Sequence, residues 1–322
     1  MQYRKLGRSG LKVSSICLGG NVFGWTADQA ASESVLDTFV EGGGSFIDTA
    51  DIYSRWIPRH VGGESETVLG KWLSARKNRR DVVIATKVAG PMGAGPNDSG
   101  LTRAHILNAV NDSLSRLQTD YIDLYQTHFD DPDTQLEETL SALDHLVQSG
   151  KVRYIGASNY SAWRLTKALW ASDKHHLHRF ESIQPNYNLV DREGFERELE
   201  PLATEEGLGV IPYFSLAAGF LTGKYRKDSP LPPTPRAAGV QQKYMNERGF
   251  KVLDQVLSIA GEHSVSPGQV ALAWLIARPS ITAPIASATS AEQAKELIGA
   301  ADLTLTADEI KALNTASEWK QE

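Results

Sequence analysis

Residues 102–158 decide the architecture: TRAHILNAVNDSLSRLQTDYIDLYQTHFDDPDTQLEETLSALDHLVQSGKVRYIGAS. Behind Thr102, the apolar residues Ile106, Val110, Leu114 and Leu117 recur every three or four positions. That is one face of a helix with a hydroxyl N-cap. The run YIDLYQ from Tyr121 follows, too short and too rich in β-formers for a helix. A second stripe, Leu136, Leu140, Leu143 and Val147, ends at the helix stop Gly150, and the next strand opens at Val152. A helix laid between two short strands returns the chain to its starting end, so the strands run parallel.

Outward from this stretch the same unit recurs. Candidate strands begin near Ser15 (SICL), Ser45 (SFID), Val82 (VVIAT), Tyr121, Val152, Ser182 (SIQP), Leu208 (LGVIPY) and Ile281 (ITAPIA). Between them Val35, Phe39 and Val40 lead into the stop Gly42-Gly43-Gly44, and Ser266-Pro267 reads as an N-cap with a first-turn proline. Alternating strands and helices with short connections require a parallel sheet covered by helices. Eight units predict an α/β protein of the (β/α)8 TIM-barrel type. The alternative, a doubly wound sheet, carries GxGxxG after its first strand, where this chain has Leu18-Gly19-Gly20-Asn21-Val22-Phe23-Gly24.

Two additions stand outside the repeat. Residues 1–14, with the turn Gly7-Arg8-Ser9-Gly10, read as an N-terminal hairpin. The connection between strands seven and eight is a long insert. It holds the proline-rich run SPLPPTP at 229–235, then helical segments from about Gln241. A long insert on the strand-end face is expected to cover a ligand. No boundary interrupts the pattern, so residues 1–322 are expected to form a single barrel domain.

Composition narrows the function. The net charge of −6 and the absence of any long basic run argue against a nucleic-acid partner or an anionic membrane. No apolar run is long enough to span a bilayer. The lone cysteine, Cys17, permits no intrachain disulfide, and with no signal peptide the expected location is the cytoplasm.

In a parallel barrel the chemistry sits after the C-terminal ends of the strands. There the chain places Asp48 and, five residues on, Tyr53, then Lys87, His128, Ser158-Asn159, Gln184 and Tyr213. Any one of these is commonly a loop-bonding residue; together on one rim they form a site. A tyrosine is a weak acid, with an ordinary pKa of about 10. A neighbouring Lys87 ammonium is expected to lower it, with Asp48 holding that ammonium. His128 is placed to polarise a carbonyl. No nucleophilic serine or cysteine stands beside a base. Trp25, Trp56 and Phe129 lie near the same rim, either lining a substrate pocket or simply packing. The histidines at 175, 176 and 178 read as a solvated helix end, no metal site is expected, and Asp130, Asp131 and Asp133 read as charge and capping at a helix N-terminus.

With these residues the chain resembles the aldo-keto reductase family along its whole length: MQYRKLGRSGLKVSSICLGG, FIDTADIY, GESETVLGKWL, ATKV, DYIDLYQTH, GKVRYIGASNY, SIQPNYNL, IPYFSLAAGFLTGKY and APIASATSAEQ. The resemblance implies hydride transfer between a nicotinamide cofactor and a small carbonyl or alcohol substrate. It implies Asp48, Tyr53, Lys87 and His128 as the catalytic tetrad. Gly20, Asp48, Ser158, Asn159 and Gln184 would hold the nicotinamide end, and Tyr213 would stack on its ring. Ser215 and Leu216 fall where the family binds pyrophosphate, although Phe214 replaces a serine there. Ser287, Thr289, Gln293 and Glu296 fall at the adenosine end. That segment has no cation, so Lys224, Arg226 or Arg236 of the insert would have to meet a 2′-phosphate. NADP(H) is the expected cofactor and NAD(H) the alternative. Competing readings are a nicotinamide-binding sensor or regulatory subunit, and a Schiff-base lyase using Lys87, which would leave Asn159, Gln184 and Tyr213 without a purpose. Oligomeric state is not legible.

Overall fold

The computed structural model describes residues 1–227 and 229–319. Strands β1 (Tyr3–Lys5) and β2 (Lys12–Ser14) pair antiparallel as the predicted hairpin. Eight parallel strands follow: β3 (Cys17–Gly19), β4 (Phe46–Asp48), β5 (Val83–Val88), β6 (Ile122–Thr127), β7 (Val152–Ser158), β8 (Phe180–Gln184), β9 (Gly209–Val210) and β10 (Ile285–Ala286). They lie in the order β10-β3-β4-β5-β6-β7-β8-β9. Between β9 and β10 the Thr282 N–H donates to Val210 O at 2.8 Å and the Ile285 N–H to Pro212 O at 2.9 Å, which closes the barrel.

The helices are α1 (Gln29–Glu41), α2 (Glu64–Arg76), α3 (Arg103–Leu117), α4 (Leu136–Gln148), α5 (Ala162–His175), α6 (Glu193–Glu196), α7 (Leu199–Glu205), α8 (Ala237–Tyr244), α9 (Glu247–His263), α10 (Pro267–Ala277), α11 (Ala291–Ala300) and α12 (Ala307–Ala316). Their ends carry the expected caps. Thr102 Oγ1 accepts from the His105 N–H, and Ser266 with Gln269 forms a reciprocal capping box ahead of Pro267. One reading is corrected. Asp130 and Asp131 do not cap α4, whose N-cap is Gln135. Asp130 instead pairs with Arg164 at 2.9 Å, and Asp131 accepts from the Leu101 N–H and the Thr134 hydroxyl. Arg164 and Leu101 lie 34 and 30 positions away along the chain, beyond any local pattern, whereas Thr134 is a near neighbour.

Side chains alternate across each strand. One set, including Leu18, Ile47, Ile84, Tyr125, Ile155 and Ile183, packs outward against the helices. The other fills the barrel interior: Cys17, Phe46, Ala85, Leu124 and Ile211, closed from below by Leu6 and Val13 of the hairpin. The hairpin turn fits because Gly7 is left-handed (φ +58°) and a Cβ there would meet Glu181 O at 2.2 Å. Continuing the interior set by two residues brings Asp48, Lys87 and Gln126 to face each other at the upper end. The long insert between β9 and β10 passes over that end. It comprises a tight turn at Ala217–Thr222, a proline-rich strap at 229–236, and α8 to α10; its first long helix starts at Ala237, four residues before the position expected from sequence.

Candidate active site

Lys87 is fully buried and uses all three ammonium protons. It donates to Asp48 Oδ2 at 2.5 Å, to the Thr49 carbonyl at 2.9 Å and to the Tyr53 hydroxyl at 3.2 Å. Burial alone would strip this charge; Asp48 and then Tyr53 more than offset it and hold the ammonium above the ordinary lysine range. The second Asp48 oxygen accepts from the side-chain amides of Gln126 and Gln184, each at 3.0 Å. Every acceptor site that matters on this carboxylate is thereby filled.

The expected direction for Tyr53 is corrected. Lys87 does favour the phenolate, but burial acts the other way and wins, with Asp48 adding to it, so the phenol titrates above its usual range. It stays protonated near neutrality. His128 is pushed down to about 3 by burial and then by the Lys87 charge, so its imidazole is neutral. Its Nδ1 is buried with no hydrogen-bond partner, and the residue lines the cleft. Tyr53 stands edge-on to His128 (5.7 Å) and to Trp56 (5.7 Å), and Trp56 edge-on to Trp25 (5.5 Å).

On the opposite wall Ser158 Oγ donates to Gln184 O at 2.9 Å. The Asn159 amide donates to Ser158 Oγ and to His128 O, and its oxygen accepts from the Tyr213 hydroxyl at 2.8 Å. A cleft of about 930 Å³ connects these residues to the far side of the barrel mouth. Along it lie Ser215, Leu216, Lys224 and Arg236, then Ser287, Thr289, Gln293 and Glu296 at the start of α11. Trp25 and Trp56 also line it.

The profile of the aldo/keto reductase family matches residues 15–318. The chain belongs to the aldo/keto reductase family. It is an oxidoreductase of the class that transfers hydride between a nicotinamide cofactor and a carbonyl or alcohol. This family member is 37% identical over 319 residues to an uncharacterized oxidoreductase, YrpG, of Bacillus subtilis, covering 98% of this chain and 95% of that one. It is 36% identical to a probable voltage-gated potassium channel subunit beta of Arabidopsis thaliana, with 94% and 92% covered. It is 33% identical to a norsolorinic acid reductase of Aspergillus flavus, with 97% and 79% covered.

Within this aldo/keto reductase, four residues named from sequence stand apart from the cleft wall: Lys87, buried behind Asp48 and Tyr53, Arg226, exposed and off the cleft, Gly20 and Phe129. Gly20 lies behind the wall, its N–H donating to Asp48 O and its carbonyl accepting from Ser65 Oγ, while Gly19 and Asn21 line the cleft instead. Phe129 is on the rim, 40% exposed and stacked on His128 at 5.8 Å. Gln126 was missed. Its signal was available: it is two residues before His128 and two after the inward Leu124, so period-two alternation aims it at Asp48. Asn21, which accepts from Ser287 Oγ at 2.5 Å, had no comparable signal, because that bond spans 266 residues.

Proposed function

We propose that this aldo/keto reductase reduces planar, apolar carbonyl compounds with NADP(H) as its favoured cofactor, and that Tyr53 is the general acid in reduction and the base in oxidation. The observation that carries the reading is the Lys87 ammonium joined to both Asp48 and Tyr53 at the inner end of the cleft.

The cleft suits a dinucleotide. It encloses about 930 Å³, and on its wall Lys224 and Arg236 make no ion pair with a carboxylate among the described residues. Ser215 and Leu216 would meet the pyrophosphate, and the two cations would reach the 2′-phosphate. Ser287, Thr289 and Gln293 lie around the N-terminus of α11, whose dipole and hydroxyls would favour a 2′-phosphate, with the Thr289 and Gln293 N–H groups already engaged by Gln293 Oε1 and Ser290 Oγ. Glu296 would face the adenine. Tyr213 would stack on the nicotinamide, and Ser158, Asn159 and Gln184 would hold its carboxamide. Bound there, the nicotinamide supplies or accepts the hydride.

The chain does the rest. Neutral His128 holds the substrate oxygen through Nε2, and Tyr53 passes its phenolic proton to that oxygen as negative charge develops. Lys87 stabilises the phenolate left behind, and Asp48, fixed by Gln126 and Gln184, keeps Lys87 charged and in place. Around Tyr53 the cleft is walled by Trp25 and Trp56, with Phe129 at the rim. These rings offer apolar faces and few hydrogen-bond groups, which supports flat aromatic or quinone-like carbonyls over free sugars. A buried lone cysteine and the absence, among the described residues, of any helix able to cross a membrane support a cytoplasmic enzyme.

The test follows reduced-nicotinamide absorbance with both cofactors against substituted benzaldehydes, quinones, keto-steroids and free aldoses. The expected result is turnover of aromatic carbonyls with kcat/KM roughly tenfold to a hundredfold above aldoses, the value of burying one ring. The likeness to a channel β subunit favours a second reading, a cofactor-bound regulator. Tight nicotinamide binding with no carbonyl turned over would select it.

A further inference from the structure

The loop between β8 and α6 contains a carboxylate with no part in the chemistry above. Asp191 Oδ2 accepts from Asn186 Nδ2 and Asn188 Nδ2, each at 3.2 Å, within its own loop. It also accepts from Lys243 Nζ at 2.8 Å and from the Tyr244 hydroxyl at 2.7 Å, both at the end of α8 in the insert. The Asn188 amide nitrogen donates in addition to the Phe214 carbonyl at 3.1 Å, one residue past Tyr213. One carboxylate thus joins three parts of the chain around the cleft.

The mechanical consequence comes from what α8 follows. It continues directly from the strap, whose Pro233, Thr234, Pro235 and Arg236 all line the cofactor cleft. Prolines bring no N–H to pin a strap by backbone bonds, so it is held by side chains, at Thr234 by the Tyr225 hydroxyl at 3.1 Å and beyond Arg236 by α8. At the trailing end Tyr244 is buried and stacked on Phe220 (5.9 Å, 21°). Its hydroxyl has Asp191 as acceptor, and a buried hydroxyl without an acceptor is costly.

We propose that Asp191 is a positioning residue that latches the strap over the cleft and couples it, through Asn188 and Phe214, to the Tyr213 side of the nicotinamide wall. By this coupling it sets how long the dinucleotide stays bound. The inference rests on the reading that the cleft holds a dinucleotide. Asp191 touches no reacting atom, so loosening the latch speeds cofactor release and leaves hydride transfer unaltered.

The test uses the full chain with Asp191→Asn, which keeps the shape and removes the charge, and Tyr244→Phe, which removes one donor. Three quantities are read: NADPH release by stopped-flow fluorescence, tryptic cleavage after Arg236 with no cofactor present, and single-turnover reduction. Release is expected to accelerate about tenfold or more in Asp191→Asn and about threefold in Tyr244→Phe, with strap cleavage faster in both. Single-turnover rates and melting temperature are expected to change little, which a merely structural role would not give. Release and cleavage both unchanged in the two variants would overturn the latch; faster cleavage with unchanged release would overturn its coupling to the cofactor. If Asp191→Asn does not fold, Tyr244→Phe decides by the same readouts. A native protein that binds neither nicotinamide would sink the functional reading instead, and the cleavage arm would still decide the latch.

Discussion

Tyr53 illustrates how two neighbours of opposite effect divide a task. Burial keeps its proton on, and Lys87 at 3.2 Å makes the departure of that proton affordable when a substrate oxygen arrives. Only the hydroxyl takes part, so Tyr53→Phe is expected to cut kcat by about 100- to 10,000-fold. Cofactor affinity, measured by fluorescence titration, should stay near the native value; retention of most turnover would remove Tyr53 from the mechanism. Asp51, three residues after Asp48, behaves differently. Both its carboxylate oxygens are buried without a hydrogen-bond partner. Burial first, and then the Glu66 carboxylate, raise its pKa well above the ordinary range. A raised carboxyl contributes full stability below its unfolded pKa of about 3.9, and that contribution is lost as pH rises toward the folded value. Asp51→Asn has no such loss. The variant is therefore expected to melt higher than the native protein, by a margin that widens as pH rises from the unfolded-state value toward the raised folded one. A margin that is flat or shrinks with pH would show that Asp51 is ionised in the folded state.

At the scale of elements, the proposed preference between cofactors would be divided between the strap and α11. Residues 287–293 offer hydroxyls, an amide and the N-terminus of α11, and Thr289 is itself tied to Gln293 Oε1 at 2.8 Å. The cations on the cleft wall, Lys224 and Arg236, come from the insert instead. A cation carried on a strap gives up ordering entropy that a strand-end residue does not. One charged contact is worth roughly 1.5–3 kcal/mol, so the preference for NADPH over NADH is expected to be about one to two decades in kcat/KM and to weaken at high salt. Replacing both Lys224 and Arg236 by Met should erase most of it. A salt-insensitive preference above about three decades would point to a fixed cationic site elsewhere.

For the whole molecule the division is between a working end and a sealed end. The barrel interior is polar at the top, around Asp48, Lys87, Gln126 and Gln184, and apolar below, where the hairpin inserts Leu6 and Val13 against Phe46 and Leu124. Leu6 is completely buried, so Leu6→Ala leaves a cavity and is expected to cost about 2–5 kcal/mol of stability in denaturant unfolding. Because the lesion lies at the opposite end from Tyr53, kcat and KM should remain at native values below the melting range. A large loss of kcat in a folded Leu6→Ala protein would mean that the sealed end is mechanically coupled to the site.

The sequence by itself determined what depends on near neighbours. Helix ends were legible in Thr102 and in Ser266-Pro267 because a cap is satisfied within three residues. Eight strand runs, separated by helices, left parallel closure as the consistent architecture, and the rule that chemistry follows strand ends then picked out Asp48, Tyr53, Lys87, His128 and Gln184. The tertiary structure alone decided what depends on distance through space. Asp48 meets Gln184 across 136 residues of chain, Asp131 in the loop before α4 accepts from the Leu101 backbone, and Asp191 reaches Lys243 and Tyr244. The titration of Tyr53 followed the same division: sequence could supply its cationic neighbour, but the outcome turned on desolvation, which exists only once the barrel has closed around the phenol.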